Sequence, residues 1–255
     1  MWLRIFVTII LCAMILPILV IIPLSFSSSS YFELPPPGFS LKWYINIIEN
    51  KKWFTGFNHS FIIGIFTSLL AVTLGTMAAL AVRNLNFKGK NIFMMLMVSP
   101  MIIPTIITGV ALYYSLSSIG FTNTLPGLIL SHSLITTPIT FMLVLGRLRS
   151  IDRDLELAAI SLGSTPIGAF FKVTLPLMKH SLIAGLIFAF ITSFDEVIMT
   201  IFIAGADTRT LPLLMWEQLR IDLDPSLAAI ATIIIFITVS IYAISEWVSS
   251  RSSNN

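Results

Sequence analysis

Long apolar runs alternate along this chain with short polar stretches. Six runs stand out, near Trp2–Leu24, Ser60–Val82, Ile92–Leu112, Pro126–Leu145, Leu182–Ala204 and Leu227–Trp247. A helix of about 20 residues crosses the hydrocarbon core of a bilayer, and each run reaches that length. The runs are continuous and rich in Leu, Ile, Met and Ala, without the alternation of a barrel strand. In lipid a helix satisfies its own backbone hydrogen bonds. The pattern therefore predicts an all-α membrane protein with six transmembrane helices, forming one membrane domain over residues 1–255.

The polar stretches predict smaller elements. Between the first two runs, Pro35-Pro36-Pro37-Gly38 breaks regular structure, and "LKWYINIIENKKWF" has the spacing of a short surface helix with aromatic anchors. Asp224 is placed to cap the sixth span, with Pro225 in its first turn. The connection from Arg147 to about Ser181 is far longer than a turn requires. In it, "DLELAAISLG" has helical spacing, with Leu155, Ala158, Ala159 and Leu162 on one face. Gly163 follows as a C-cap. Thr165 and Pro166 open a second helix, as cap and first residue, and Leu175-Pro176 predicts a break before the fifth span.

Composition agrees with a lipid environment: 56% of residues are hydrophobic and 11% are charged, where a soluble domain carries about 25% charged residues. The net charge of +3 gives no reason to expect nucleic acid. Position matters more than the sum. With the N-terminus inside, ten of the 15 Lys and Arg residues fall in inner segments, Arg83, Arg147, Arg149, Arg153, Lys172 and Arg251 among them. That asymmetry predicts both termini in the cytoplasm. The first run is longer than the apolar core of a signal peptide, about 7–15 residues, so it is expected to remain as a span. The single Cys12 has no partner for an internal disulfide.

Catalytic chemistry has little support. The only Gly-Lys pair, Gly89-Lys90, lacks the phosphate-loop framework. His59, His132 and His180 lie in different segments, and a lone membrane histidine such as His132 is expected to bond between helices. The charges that do call for explanation are Asp195 and Glu196, side by side in the fifth run, with no basic neighbour in sequence. A charge at the centre of a spanning helix costs about 2.5–3.5 kcal/mol on insertion scales and usually marks a pathway or wet cavity. If the span is one helix, Glu196 shares a polar stripe with Thr192, Ser193 and Thr200. That makes Glu196 the better pathway candidate and leaves Asp195 to hold a neighbouring helix. The fourth span adds Thr136 and Thr140 as further path candidates, although hydroxyls in membrane helices often serve packing.

The long loop resembles the "EAA" motif of ABC importer permeases, those that work with a substrate-binding protein. Their pattern is Glu-Ala-Ala, three residues, Gly, nine residues, Ile-x-Leu-Pro. This chain has Leu157-Ala158-Ala159, Gly163 and Val173-Thr174-Leu175-Pro176 at the same spacings. Leu157 stands where Glu is usual, although Glu156 precedes it, and Val173 replaces Ile. The likeness covers essentially the whole chain and is greatest to the second permease of spermidine/putrescine-type importers, through "PPPGFSLKWY", "SPMIIPTIITGVAL", "SFDEV" and "TLPLLMWEQLR".

The resemblance implies a type I importer permease with a cytoplasmic coupling helix between spans four and five, in a loop of about residues 152–176. Glu156, Leu157, Ala158, Ala159, Gly163, Leu175 and Pro176 are then the residues that couple to a separate ATPase. The implied partners are a second related permease, an ATPase dimer carrying ATP and Mg²⁺, and an extracytoplasmic binding protein. This chain itself would be neither an enzyme nor a cofactor carrier. The implied setting is a bacterial inner membrane and the implied cargo a polyamine. Related permeases carry opines, aminophosphonates or ferric ion. A self-sufficient channel or proton-coupled transporter is the rival of a different class, against which the loop argues.

Overall fold

The computed structural model describes the backbone of residues 1–221 and 223–252, and side chains as far as residue 239, position 222 excepted. Trp247 and Arg251, expected to bound a span and to help orient the chain, lie outside the described side chains. The described residues are helical almost throughout. The order is α1 (Trp2–Ser25), α2 (Lys42–Glu49), α3 (Lys51–Asn84), α4 (Lys90–Val98), α5 (Thr105–Ser118), α6 (Leu125–Ser150), α7 (Arg153–Ser161), α8 (Pro166–Ala169), α9 (Leu175–Phe194), α10 (Ile198–Ile203), α11 (Leu211–Ile221) and α12 (Ser226–Ser252).

The chain divides into two compact units, residues 1–54 with 214–255, and residues 55–213. In the first, α1 packs on α12 and α12 on α2. The predicted surface helix is α2, held by side chains: the Trp43 indole donates to Ser27 O at 2.9 Å, and the Ser25 and Tyr44 hydroxyls lie 2.7 Å apart. Asp224 caps α12 as expected, accepting from Ser226 N at 2.9 Å.

The second unit is built around α6, which packs chiefly on α9. One apolar core joins α3, α6 and α9 through Ala79, Val82, Phe141, Val144, Leu148 and Met178. Another joins α3, α5, α6 and α10 through Ile63, Leu116, Leu128, Met199 and Ile203. Helices in lipid gain little from apolar burial against one another, so close approach and interhelical hydrogen bonds matter more. Gly75 supplies the approach: a Cβ there would lie 2.8 Å from Phe141 N. Beside it the Thr140 hydroxyl donates to Ala71 O at 2.7 Å.

Four helical stretches are long and apolar enough to cross a membrane: α1, α3, α6 and the run Pro166–Phe194. The predicted third span is not straight. It is the pair α4 and α5, bent by 100° across a 3₁₀ turn at Ser99–Met101. Pro100 and Pro104 cause the bend, because each removes a backbone donor and crowds the preceding turn. Pro104 itself is extended and immediately precedes α5 as its N-cap residue. The predicted break at Leu175-Pro176 is also absent. A π-helical turn at Phe170–Thr174 leads directly into α9, so the wider turn absorbs the proline without ending the helix. The fifth span breaks elsewhere, at Asp195–Val197.

Candidate functional site: a broken helix and an exposed loop

The break falls on the acidic pair. Asp195 ends α9, and the chain resumes helix at Ile198. A new helix begins with unbonded N–H groups, which attract a carboxylate. Glu196 provides one: its Oε1 accepts from Met199 N at 2.9 Å. Glu196 is therefore half-buried at the start of α10, while Asp195 is exposed. The polar stripe drawn on an unbroken helix through Thr192, Glu196 and Thr200 does not exist, because the helical register is lost between them. Thr192 remains on α9, half-buried.

His132 bridges the two pieces. It is fully buried on α6, with Nδ1 2.9 Å from Ser193 Oγ of α9 and Nε2 3.2 Å from Thr200 Oγ1 of α10. Thr200 gives its own hydroxyl proton to Glu196 O, at 2.8 Å. Its oxygen must then accept from the ring, so His132 carries its proton on Nε2 and accepts from Ser193 at Nδ1. This is the interhelical role expected of a lone membrane histidine, and it pins both sides of the break. Aromatic packing fixes the end of α9 as well. Phe190 and Phe194 meet Phe61 and Phe57 of α3 at centroid distances of 5.7 and 6.2 Å. At the far end of α10, Asn123 N donates to Ile203 O at 2.8 Å.

Thr136 and Thr140, expected as path candidates, are both fully buried. Thr136 donates to His132 O at 2.9 Å and Thr140 to Ala71 O. With their hydroxyls used on backbone carbonyls, both belong to helix packing and present no surface to a solute.

The loop between α6 and α9 follows its sequence closely. Asp152 caps α7, accepting from Asp154 N at 3.0 Å. Gly163 ends the helix with φ of +93°, a conformation that costs an L-residue about 1–2 kcal/mol, and Ser164 N closes the turn on Ala159 O at 3.0 Å. Thr165 caps α8 through Gly168 N at 3.0 Å, with Pro166 in its first turn. The outward surface of the loop is strongly apolar: Leu155, Leu157, Ile160, Leu162, Ile167 and Phe171 are exposed, Leu162 by 90%. Ala158 and Gly163 are exposed among them, and Ala159 is half-buried.

Glu156 does not share that face. It turns inward, where its Oε1 accepts from Arg83 Nη1 at 2.7 Å and from the Thr174 hydroxyl. Burial pushes the Glu156 pKa up, but the Thr174 and Arg83 hydrogen bonds and the charges of Arg83 and Arg153 outweigh it and hold the carboxyl below its ordinary range. The usual motif glutamate is Leu157 here, yet the neighbouring position makes a defined ion pair. Sequence reasoning missed Arg83, because its signal, a basic residue ending α3, is common. Leu175 packs half-buried on the α3–α6–α9 core, whereas Pro176 is exposed.

These features can be set beside known proteins. A family described as "Binding-protein-dependent transport system inner membrane component" matches residues 71–254. The putrescine transport system permease protein PotI of Escherichia coli K12 is 31% identical over 226 residues, 86% of this chain and 80% of its own length. The spermidine/putrescine transport system permease protein PotC of the same organism is 27% identical over 244 residues, 96% and 92% of the two chains. Among solved structures, a bacterial ABC transporter involved in import of the acidic polysaccharide alginate has the same fold, with a TM-score of 0.74 at 15% identity over 97% of this chain and 94% of that one. The EAA-like loop, the multi-pass helical fold and the family match agree: this chain belongs to the family of inner membrane components of binding-protein-dependent transport systems, as an ABC importer permease subunit.

Proposed function

We propose that this permease carries a polyamine, putrescine or spermidine, across a bacterial inner membrane as half of the translocation path. The observation that carries the substrate reading is the 31% identity to a putrescine permease across 86% of the chain. The exposed carboxylate of Asp195 at the break in the fifth span supports it, since a cation leaving water needs compensating charge. Asp195 takes the path role in this reading and Glu196 holds the break, the reverse of the assignment an unbroken helix suggests.

Six spans follow if α1, α3, the bent pair α4–α5, α6, the run α8 to α10, and α12 each cross once. Both termini and the α7 loop then face the cytoplasm. There α7 docks on a separate ATPase dimer, which holds ATP and Mg²⁺. The exposed apolar face around Leu162, next to small residues that allow close backbone approach, suits such a groove. A second permease completes the path, and a binding protein delivers the cargo from outside. ATPase closure moves the loop, and the cavity changes side.

The test is uptake by proteoliposomes holding the complete importer. ATP-dependent accumulation of putrescine or spermidine, blocked by excess of either, is the expected result. A permease of Haloferax volcanii named as probably for molybdenum is 27% identical over 206 residues. Uptake of molybdate instead of polyamine, or uptake without ATPase, would overturn this reading.

A further inference from the structure

We propose that Arg83 is a positioning residue for energy coupling: with Glu156 and Thr174 it forms a latch that makes the docking helix α7 move as one body with the end of α3 and the start of the fifth span. The proposal rests on the reading that α7 docks on an ATPase.

The geometry is that of a junction. Arg83 lies in the last turn of α3, and its side chain is 5% exposed. One guanidinium nitrogen donates to Glu156 at 2.7 Å and another to Ile151 O at 3.2 Å. Arg153, the first residue of α7, donates back to Arg83 O. The same oxygen of Glu156 that meets Arg83 also accepts from Thr174, which is fully buried in the π-helical turn. One carboxylate therefore joins the end of α3, the middle of α7 and the entry to α9.

The large apolar side chains of α7 (Leu155, Leu157 and Ile160) are exposed, while Glu156 and Arg153 give the helix a polar hold on the end of α3. A docking element that is only tethered would yield when pushed. One held at three points by a partly buried, charge-assisted network transmits displacement, because its members have few alternative arrangements. The depressed pKa of Glu156 is consistent with a carboxylate kept charged for this purpose. The neighbouring Leu157, exposed at the usual glutamate position, leaves the latch as the role of the loop's inward-facing acid.

The experiment uses the complete importer with Arg83→Gln, Glu156→Gln, Thr174→Val and the exchange Arg83→Glu with Glu156→Arg. Three quantities are read in each: ATPase subunit retained on purification, ATP hydrolysis, and substrate taken up per ATP. The expected result is retained ATPase and hydrolysis, with uptake per ATP falling about tenfold in the glutamine variants. The exchange should recover to within about threefold of the parent, as coupled pairs do in double-mutant cycles. Thr174→Val, which removes one hydroxyl and preserves shape, should fall between. Unchanged uptake per ATP in both glutamine variants overturns the latch. Loss of the ATPase itself in those variants also overturns it, since they would then be docking residues. Leu162→Glu is measured alongside: if it keeps the ATPase, the docking reading has failed, and that outcome is separate from any result at Arg83.

Discussion

Two glutamates, Glu156 in the middle of α7 and Glu196 at the break between α9 and α10, are stabilised in different ways. Glu156 has a cation, Arg83, and a hydroxyl, Thr174. Glu196 accepts from a backbone amide, that of Met199. The difference follows from position. Beside α7 the end of α3 supplies an arginine as partner. Within a span a second charge is itself costly, and the start of a helix offers positive partial charge without one. The acid at the break thus serves the backbone, whereas the acid in the loop serves a junction between elements. A sequence shows the two residue types as equal. The partners distinguish them.

The largest effect should come from removing the pin of the break. His132→Ala leaves the buried Ser193 hydroxyl without its acceptor, at about 1–3 kcal/mol for an unsatisfied group, and removes the ring's donation to Thr200, whose own hydroxyl still bonds Glu196 O. A marked fall in the melting temperature of detergent-purified protein is expected, with partial recovery in His132→Asn. An unchanged melting temperature would mean the break is held elsewhere.

The two acids of the break should separate next. Asp195→Asn is expected to reduce uptake by about tenfold, the effect of roughly 1.4 kcal/mol, with normal protein recovery. Glu196→Gln keeps an oxygen for Met199 N and should lose about 1 kcal/mol of stability, the difference between a charged and a neutral acceptor, with a smaller effect on uptake. The opposite ranking in proteoliposome uptake would return the path role to Glu196.

In the loop, Gly163→Leu meets open space, with nothing within 4 Å of an added Cβ. Its cost is the backbone conformation, about 1–2 kcal/mol. The expected result is weaker retention of the ATPase on purification, with Gly163→Asn milder, as Asn tolerates a left-handed backbone better. Equal retention in both would show that the turn does not matter to docking.

The smallest effect concerns pH. Because the folded protein holds the Glu156 carboxyl below its ordinary range, the charged form is favoured by folding. Its stabilisation is present above the ordinary glutamate pKa and is lost as pH falls through the lower, folded value. Protection of the α7 amides from hydrogen exchange, corrected for the intrinsic rate, should therefore drop in acid before that of α6. Glu156→Gln should remove the difference.

Much of the structure is readable in the residues themselves. Caps are local chemistry, so Asp224, Thr165 with Pro166, and Gly163 are legible from their neighbours in sequence. His132 follows from the rule that a polar side chain in lipid finds a partner. The breaks are harder. Asp195 and Glu196 sit in a run whose composition suits one continuous helix, and nothing in sequence says that a carboxylate will bond a backbone amide three residues on. Leu175-Pro176 has the signature of a break, but a π-helical turn lets the helix run on. The bend at Pro100 and Pro104 is marked by its prolines, though not its angle. Thr136 and Thr140 look like a polar stripe because sequence does not show that both are buried, Thr136 bonded to His132 O of its own helix and Thr140 to Ala71 O across the interface.

The central claim is that the outward face of α7 meets an ATPase, and Leu162, exposed by 90%, is its most direct probe. Cys12 is the only cysteine, so Cys12→Ser gives a clean background for Leu162→Cys and a short thiol-reactive photocrosslinker in native membranes. The account predicts one dominant adduct, of this chain with the ATPase subunit, whose yield changes when ATP is added. Adducts confined to lipid or to this chain itself, with the ATPase present and active, would contradict it.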